Sequence, residues 1–235
     1  MYPANLSVIL RVTMGLEVIR MQIRIYSDMV CPWCRIGKKN LSDAIQEWGE
    51  RTGEEVAVSH HAFLLDPSLP PEGLPYKESM AAKFGGEDRV APMLDRVREA
   101  GAAVGVTFRW DRVTRMPNTV LAHRVTALLP EDQREQWVDA VMSAYFEYGR
   151  DIAKPEVLLE LAGDLGFDAG SLSLQLKEGR GSEEVQADLE QAQRMGISGV
   201  PFFVIDNKYG LSGAYPAAEF VRAFEKIAEQ KQQNG

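Results

Sequence analysis

Cys31 and Cys34 are the whole thiol complement of this 235-residue chain, and they sit together in SDMVCPWCRIGKKN, residues 27 to 40. Three chemistries compete for such a pair. A structural zinc site takes about four ligands from Cys, His or carboxylate, and here a single C-x-x-C would have to recruit His60, His61 or His123, all well separated from it. A structural disulfide across two intervening residues closes too short a loop to constrain the unfolded chain much. The favoured reading is a redox pair, because a C-x-x-C between a strand and a helix in a β-α-β unit suits a dithiol that cycles. No metal is expected, and no cofactor beyond the Cys31–Cys34 disulfide itself.

Neighbouring residues give the pair an asymmetry. Pro32 is favoured at the first position of a helix, where its missing N–H costs nothing, so Cys31 becomes the N-cap. Its sulfur then faces the unpaired N–H groups of Trp33 and Cys34 and the positive end of the helix dipole, which favour thiolate over thiol. Cys34 falls one turn further in, where burial opposes its charge. Cys31 is therefore the nucleophile and Cys34 the resolving thiol. Asp28, three residues before Cys31, can tune the thiol or relay a proton, although its own charge opposes a nearby thiolate.

The elements that must hold this turn can be read around it. Apolar residues from Ile23 to Tyr26 form a strand, and Ile36, Leu41, Ala44, Ile45 and Trp48 recur on one helical face that ends near Gly49. A second strand follows at Val56 to Phe63, parallel to the first, and DPSLPPEGLP is a loop leaving the sheet. Residues 77 to about 195 read as several helices, one capped by Asn118 and one with Pro155 in its first turn. PFFVID and YGLSG then form an antiparallel hairpin turning at Asn207 and Lys208, and Pro216 starts a last helix. This order is α/β, a thioredoxin fold (β-α-β and β-β-α halves) with a large all-helical insertion after the second strand. The divisions expected are 1–20, a leader or a non-core extension; 21–76, the N-terminal thioredoxin-like half; 77–195, the helical insertion; and 196–235, the C-terminal half.

In GISGVPFF the Val200–Pro201 bond stands at the start of a strand, where either a cis peptide or an ordinary trans proline is open. Here the chain resembles the DsbA-like thioredoxin superfamily, specifically its FrnE-like branch of cytoplasmic dithiol-disulfide oxidoreductases. The stretches that carry the resemblance are YSDMVCPWC, LDPSLPPEG, AAKFGG, MPNTVLAHR, GISGVPFFVID and SGAYP, in the family's order over residues 22 to about 229. The resemblance implies that Pro201 is a cis-proline opposite the cysteines, and that the backbone of Val200 pairs with a bound peptide strand. It also implies protein or peptide thiols and disulfides as partners, glutathione as a possible reductant and a cytoplasmic location. Two departures matter: Tyr215 stands where the family often has Gln, and a further cysteine pair found in some members is missing. Strong oxidants of the DsbA type have a His in the place of Trp33, so a potential between about -120 and about -270 mV is expected. Two alternatives stay open. One is the related glutathione-dependent kappa or chromene-carboxylate isomerase/transferase branch, which typically replaces the nucleophilic Cys with Ser; the other is a non-catalytic DsbA-like adaptor.

Composition narrows the partners. A net charge of -8 with scattered basic residues argues against nucleic acid. No apolar run reaches the ~18 residues of a membrane span. His60 and His61 point to opposite faces of their strand, one buried and satisfied, the other solvated. His123 and Arg124 read as packing near the domain junction. Met80, Met93, Met116 and Met195 either line an adaptable apolar groove or fill the core.

Overall fold

The structure, a computed structural model, describes residues 21–234. The extension expected at 1–20 lies outside the described residues. The chain opens with β1 (Met21–Ser27), α1 (Pro32–Thr52) and β2 (Val56–Ala62). β1 and β2 are parallel, with Ile23 opposite Val58 and Ile25 opposite His60. α1 runs through Gly49 to Thr52. The residue that stops it is Gly53, which takes the left-handed backbone (φ 73°) and donates its N–H to the Gly49 carbonyl at 2.8 Å.

The chain continues through β3 (Leu74–Pro75), α2 (Tyr76–Phe84), α3 (Glu87–Ala102), β4 (Arg115–Met116) and α4 (Val120–Leu128). A 3-10 turn (Glu131–Gln133), α5 (Arg134–Phe146), α6 (Pro155–Asp164), α7 (Ala169–Lys177) and α8 (Ser182–Arg194) follow. This stretch is not purely helical: Leu74 pairs with Met116 and Pro75 with Arg115 in an antiparallel ladder too short to leave a periodic signal. Asn118 sits just before α4 rather than at its cap position. Its Oδ1 accepts the Val120 N–H at 3.0 Å, and its Nδ2 donates to the Leu69 carbonyl at 2.7 Å, tying the proline-rich loop to the helices.

The chain then returns to the sheet with β5 (Phe202–Ile205), β6 (Tyr209–Ser212) and α9 (Ala217–Asn234). The strand order is β2-β1-β5-β6, with β5 antiparallel to both neighbours. The hairpin turns at Asp206 and Asn207, one residue earlier than expected: both have positive φ (51° and 58°), and the Lys208 N–H reaches the Ile205 carbonyl at 3.0 Å. Asp and Asn tolerate the left-handed region that such a turn demands, and Lys does not share that tolerance.

Three apolar clusters hold these layers together. Ile25 and Phe203 of the sheet pack on Leu41 and Trp48 of α1 and on Phe220 and Phe224 of α9. On the opposite face, Tyr26 and Val204 meet Ala192 of α8. The third cluster joins the first turn of α1 to the helices, bringing Cys34 and Ile36 against Val97, Val125, Trp137 and Val141. Ile36 thus belongs to a different core from Leu41, Ala44 and Trp48, so α1 has two apolar faces instead of the one expected. Each fully buried Ile, Leu or Phe contributes about 1.5–3 kcal/mol, so the active-site turn is anchored from both sides. No described helix is long and apolar enough to cross a membrane.

Candidate active site

Cys31 is the N-cap of α1, with extended backbone (φ -87°, ψ 109°), and Pro32 fills the first helical position. Of the two donors expected for its sulfur, Trp33 and Cys34, it is the Cys34 N–H that bonds Sγ, at 3.3 Å. That is the third-residue amide an N-cap side chain ordinarily reaches. The same sulfur lies 3.6 Å from the Val200 carbonyl oxygen, to which it can donate as a thiol. Cys31 is only 4% exposed and Cys34 1%, so both members of the pair are buried. The Cys34 thiol is pushed well above the usual range, first by burial, then by its hydrogen bond with Cys31 and the Cys31 charge. A backbone bond from Asp28 pulls the other way, and the Asp28 charge adds to the rise.

Opposite the pair, the Val200–Pro201 peptide is cis, and Pro201 is buried with its carbonyl accepting the Gly213 N–H at 2.9 Å. Helix α1 approaches this corner closely because residue 37 is glycine. A Cβ there would stand 3.0 Å from Pro201 Cγ, 3.2 Å from Phe203 Cζ and 3.3 Å from Ala214 Cα. One turn on, the Asn40 amide donates to the Tyr215 carbonyl at 2.8 Å, while the Tyr215 side chain is exposed.

Asp28, only 2% exposed, accepts the Leu65 N–H on Oδ2 at 2.8 Å and presents Oδ1 to His123 Nε2 at 3.6 Å. Asp28, Cys31, Pro32, Trp33 and Val200 share the wall of one cavity of about 370 Å³. Cys34 and Pro201 are not on that wall, although each is adjacent in chain to a residue on it. Met80, Met93 and Met116 line it, as an adaptable groove requires; Met195 does not, lying 40% exposed beside the Tyr26 hydroxyl. Sequence reasoning missed the aromatic side of the cavity, formed by Tyr76, Trp110, Tyr145 and Phe146. These residues come from separate elements, and only the cluster of aromatics at 108–110 and 145–146 hinted at them.

The histidines gather on a second cavity, of about 280 Å³, that His60, His61 and His123 line together with Arg134, Glu184 and Asp188. The expected division between the first two holds for burial and fails for hydrogen bonding. Buried His60 has no hydrogen-bond partner on either ring nitrogen, and burial, helped by nearby Lys38, holds its pKa down at about 4. Half-buried His61 is the partnered one, with Asp188 Oδ1 at 2.6 Å from Nδ1 and Ser59 at 3.1 Å from Nε2. Arg124 donates to the Leu176 and Arg180 carbonyls, a packing role at the junction of α7 and α8. Among the described residues, no three His, Cys, Asp or Glu side chains group closely enough to hold a metal ion.

The model of the DSBA-like thioredoxin domain family matches residues 22–225. The chain belongs to that family. DSBA-like proteins are thiol oxidoreductases that act on thiols and disulfides, and Cys31 and Cys34 stand here in a C-x-x-C arrangement. Over 213 residues the chain is 28% identical to YwbO, an uncharacterized protein of Bacillus subtilis (strain 168), which covers 89% of this chain and 96% of that one. A probable DsbA oxidoreductase from Streptomyces coelicolor superposes with a TM-score of 0.79 at 34% identity, over 88% of this chain and 89% of the other. The cytosolic disulfide reductase DsbM of Pseudomonas aeruginosa, solved with GSH, gives 0.59 at 22% identity over 89% and 99%, a likeness of fold.

Proposed function

We propose that this DSBA-like protein is a dithiol-disulfide oxidoreductase of the FrnE-like branch, with Cys31 as nucleophile and Cys34 as resolving thiol. In the reducing direction the Cys31 thiolate attacks one sulfur of R–S–S–R′, forming Cys31–S–S–R and releasing R′S⁻. Cys34, once deprotonated, attacks the Cys31 sulfur, releases RS⁻ and leaves the Cys31–Cys34 disulfide. Two equivalents of a thiol such as glutathione then restore the dithiol and leave as the oxidised disulfide. The fold neighbour DsbM, a cytosolic disulfide reductase, was solved with GSH, and a reducing cytosol favours a resting dithiol.

The observation that carries this reading is the unequal treatment of the two sulfurs. Cys31 Sγ accepts an amide N–H at a helix N-terminus, while burial holds Cys34 as a thiol. Attack and resolution therefore fall to different residues. Val200, whose carbonyl faces Cys31 Sγ, is proposed to pair with the backbone of an extended substrate, with Pro201 setting its position. Trp33 and Asp28 are proposed to tune the couple.

The test is trapping. A Cys34→Ser variant challenged with a disulfide substrate is expected to accumulate a mixed disulfide at Cys31, seen by intact-mass analysis and released by dithiothreitol. Turnover by Cys31→Ser comparable with the wild type would overturn the assignment.

A further inference from the structure

Cys31 has little exposure, yet it lines a cavity of about 370 Å³. A sulfur in that position is within reach of a slender molecule that enters the cavity. Much of the cavity's wall is aromatic. Trp110 stacks on Tyr76 with ring centroids 6.4 Å apart and planes 10° apart, and meets Phe146 edge-on at 5.7 Å. Two polar tips on this wall are tied to backbone: the Trp110 indole N–H donates to the Leu94 carbonyl at 3.1 Å and the Tyr145 hydroxyl to the Arg115 carbonyl at 3.0 Å. These rings give the space a largely apolar lining, and Met80, Met93 and Met116 add polarisable, adaptable surface.

We infer that this cavity binds the aromatic arm of a low-molecular-mass disulfide, placing its sulfur at Cys31. This rests on the exchange chemistry proposed above and narrows its substrate from disulfides at large to small ones with an uncharged arm. Size supports the choice: an apolar cavity of roughly 150 Å³ already holds benzene, so this one accommodates an aryl ring together with its linker. Charge supports it as well. Asp28, buried on the wall, and Asp66, half-buried at the rim, disfavour an anionic arm, with only exposed Lys83 to offset them. In the reaction, ArCH₂CH₂–S–S–CH₂CH₂Ar gains the two electrons and two protons of the Cys31–Cys34 dithiol. Two molecules of the arylalkyl thiol leave, and the protein disulfide forms, with no other reductant in a single turnover.

The experiment mixes the fully reduced chain with bis(2-phenylethyl) disulfide or bis(2-hydroxyethyl) disulfide, whose leaving thiols are alike, and follows loss of two hydrogens by mass spectrometry. Each rate is divided by that of the same disulfide with free dithiothreitol. The expected result is a preference of roughly ten- to a hundredfold for the phenylethyl compound, the range that burial of one phenyl ring supplies, with the preference collapsing toward one in Met93→Trp. Should that variant fold poorly, the unreactive bis(2-phenylethyl) sulfide is expected to inhibit the wild type competitively with the disulfide. Equal rates for the two disulfides, absence of competition, or reaction with the disulfides of folded insulin as fast as with the phenylethyl compound overturns the inference and leaves the exchange chemistry standing. Failure of every disulfide to oxidise the pair overturns the exchange reading itself.

Discussion

Nε2 of His123 lies 3.6 Å from Oδ1 of Asp28, both side chains are 3% exposed, and neither atom has a hydrogen-bond partner. The separation is too long for a hydrogen bond of ordinary strength. The carboxylate is held instead by the Leu65 N–H on its other oxygen. A charge with only one direct bond, set on the wall that also carries Cys31, acts on the redox pair mainly through its field.

Asp28→Asn removes that field and keeps an acceptor for Leu65. The Asp28 charge is one of the causes that hold the Cys34 thiol up, after burial and the contributions of Cys31. In a Cys31→Ser background, where Cys34 is the sole thiol, Asp28→Asn is expected to move its ionisation to lower pH, read from the pH dependence of iodoacetamide labelling. A shift upward, or none, would refute the link. Asp28→Ala, which leaves the Leu65 N–H without its acceptor, is expected to cost ~1–3 kcal/mol in denaturant unfolding.

Trp33 carries no charge and packs, half-buried, on the cluster that contains both cysteines. Trp33→His would bring a partial positive charge beside the N-cap sulfur, stabilising the Cys31 thiolate and with it the reduced form. The couple is then expected to become more oxidising by tens of millivolts, about 30 mV for each 1.4 kcal/mol of added stabilisation. Equilibration with glutathione buffers measures the shift; a more reducing variant would show that the residue acts by packing alone. For the wild type, a potential below about -300 mV, typical of a stable structural disulfide, would contradict catalysis.

Gly37 permits α1 to approach the Pro201 corner, and the contacts a side chain would meet there include backbone at Ala214. Gly37→Val is expected to destabilise the protein by about 1–3 kcal/mol, the usual cost of overpacking, and to slow single-turnover oxidation of the Cys pair by displacing Val200 from Cys31. Gly37→Ala should cost less, since the better helix propensity of Ala returns up to ~1 kcal/mol. Urea unfolding and single-turnover rates check both; a Val variant as stable and as fast as the wild type would show that this corner is loosely packed.

What was legible in the sequence is what depends on near neighbours. Pro32 makes Cys31 a cap wherever the rest of the chain goes, and the apolar alternation from Met21 marks a strand without knowledge of its partners. Through-space relations are different in kind. Ile36 and Leu41 look alike in a helical pattern, and only the docked helices show that they serve separate cores. Trp110 and Phe146 become one wall because β4, α4 and α5 fold the chain back between them. Met195 shares its residue type with Met93 and not its surroundings. The hairpin turn was misplaced by a single residue because Asn207 fits a turn with either neighbour, and it is Asp206, not Lys208, that shares the positive φ once Ile205 pairs with Tyr209. The pairing of His61 with Asp188 on α8, and the isolation of His60, likewise follow from docking.

That isolation makes His60 the residue through which acid should loosen the fold. Its pKa in the folded protein is about 4, against an ordinary 6.5. Above pH 6.5 the ring is neutral in folded and unfolded chains alike, and its stability contribution is fully present. As pH falls from 6.5 toward 4, the unfolded chain binds the proton and the folded one does not, so stability is lost progressively, by as much as ~3 kcal/mol at the lower end. His60→Leu removes the titration while keeping an apolar filling of similar bulk. Urea midpoints measured at pH 7, 5.5 and 4 are expected to fall more steeply for the wild type than for the variant. Equal slopes would mean that water in the adjoining cavity solvates the ring and that His60 titrates normally in the fold.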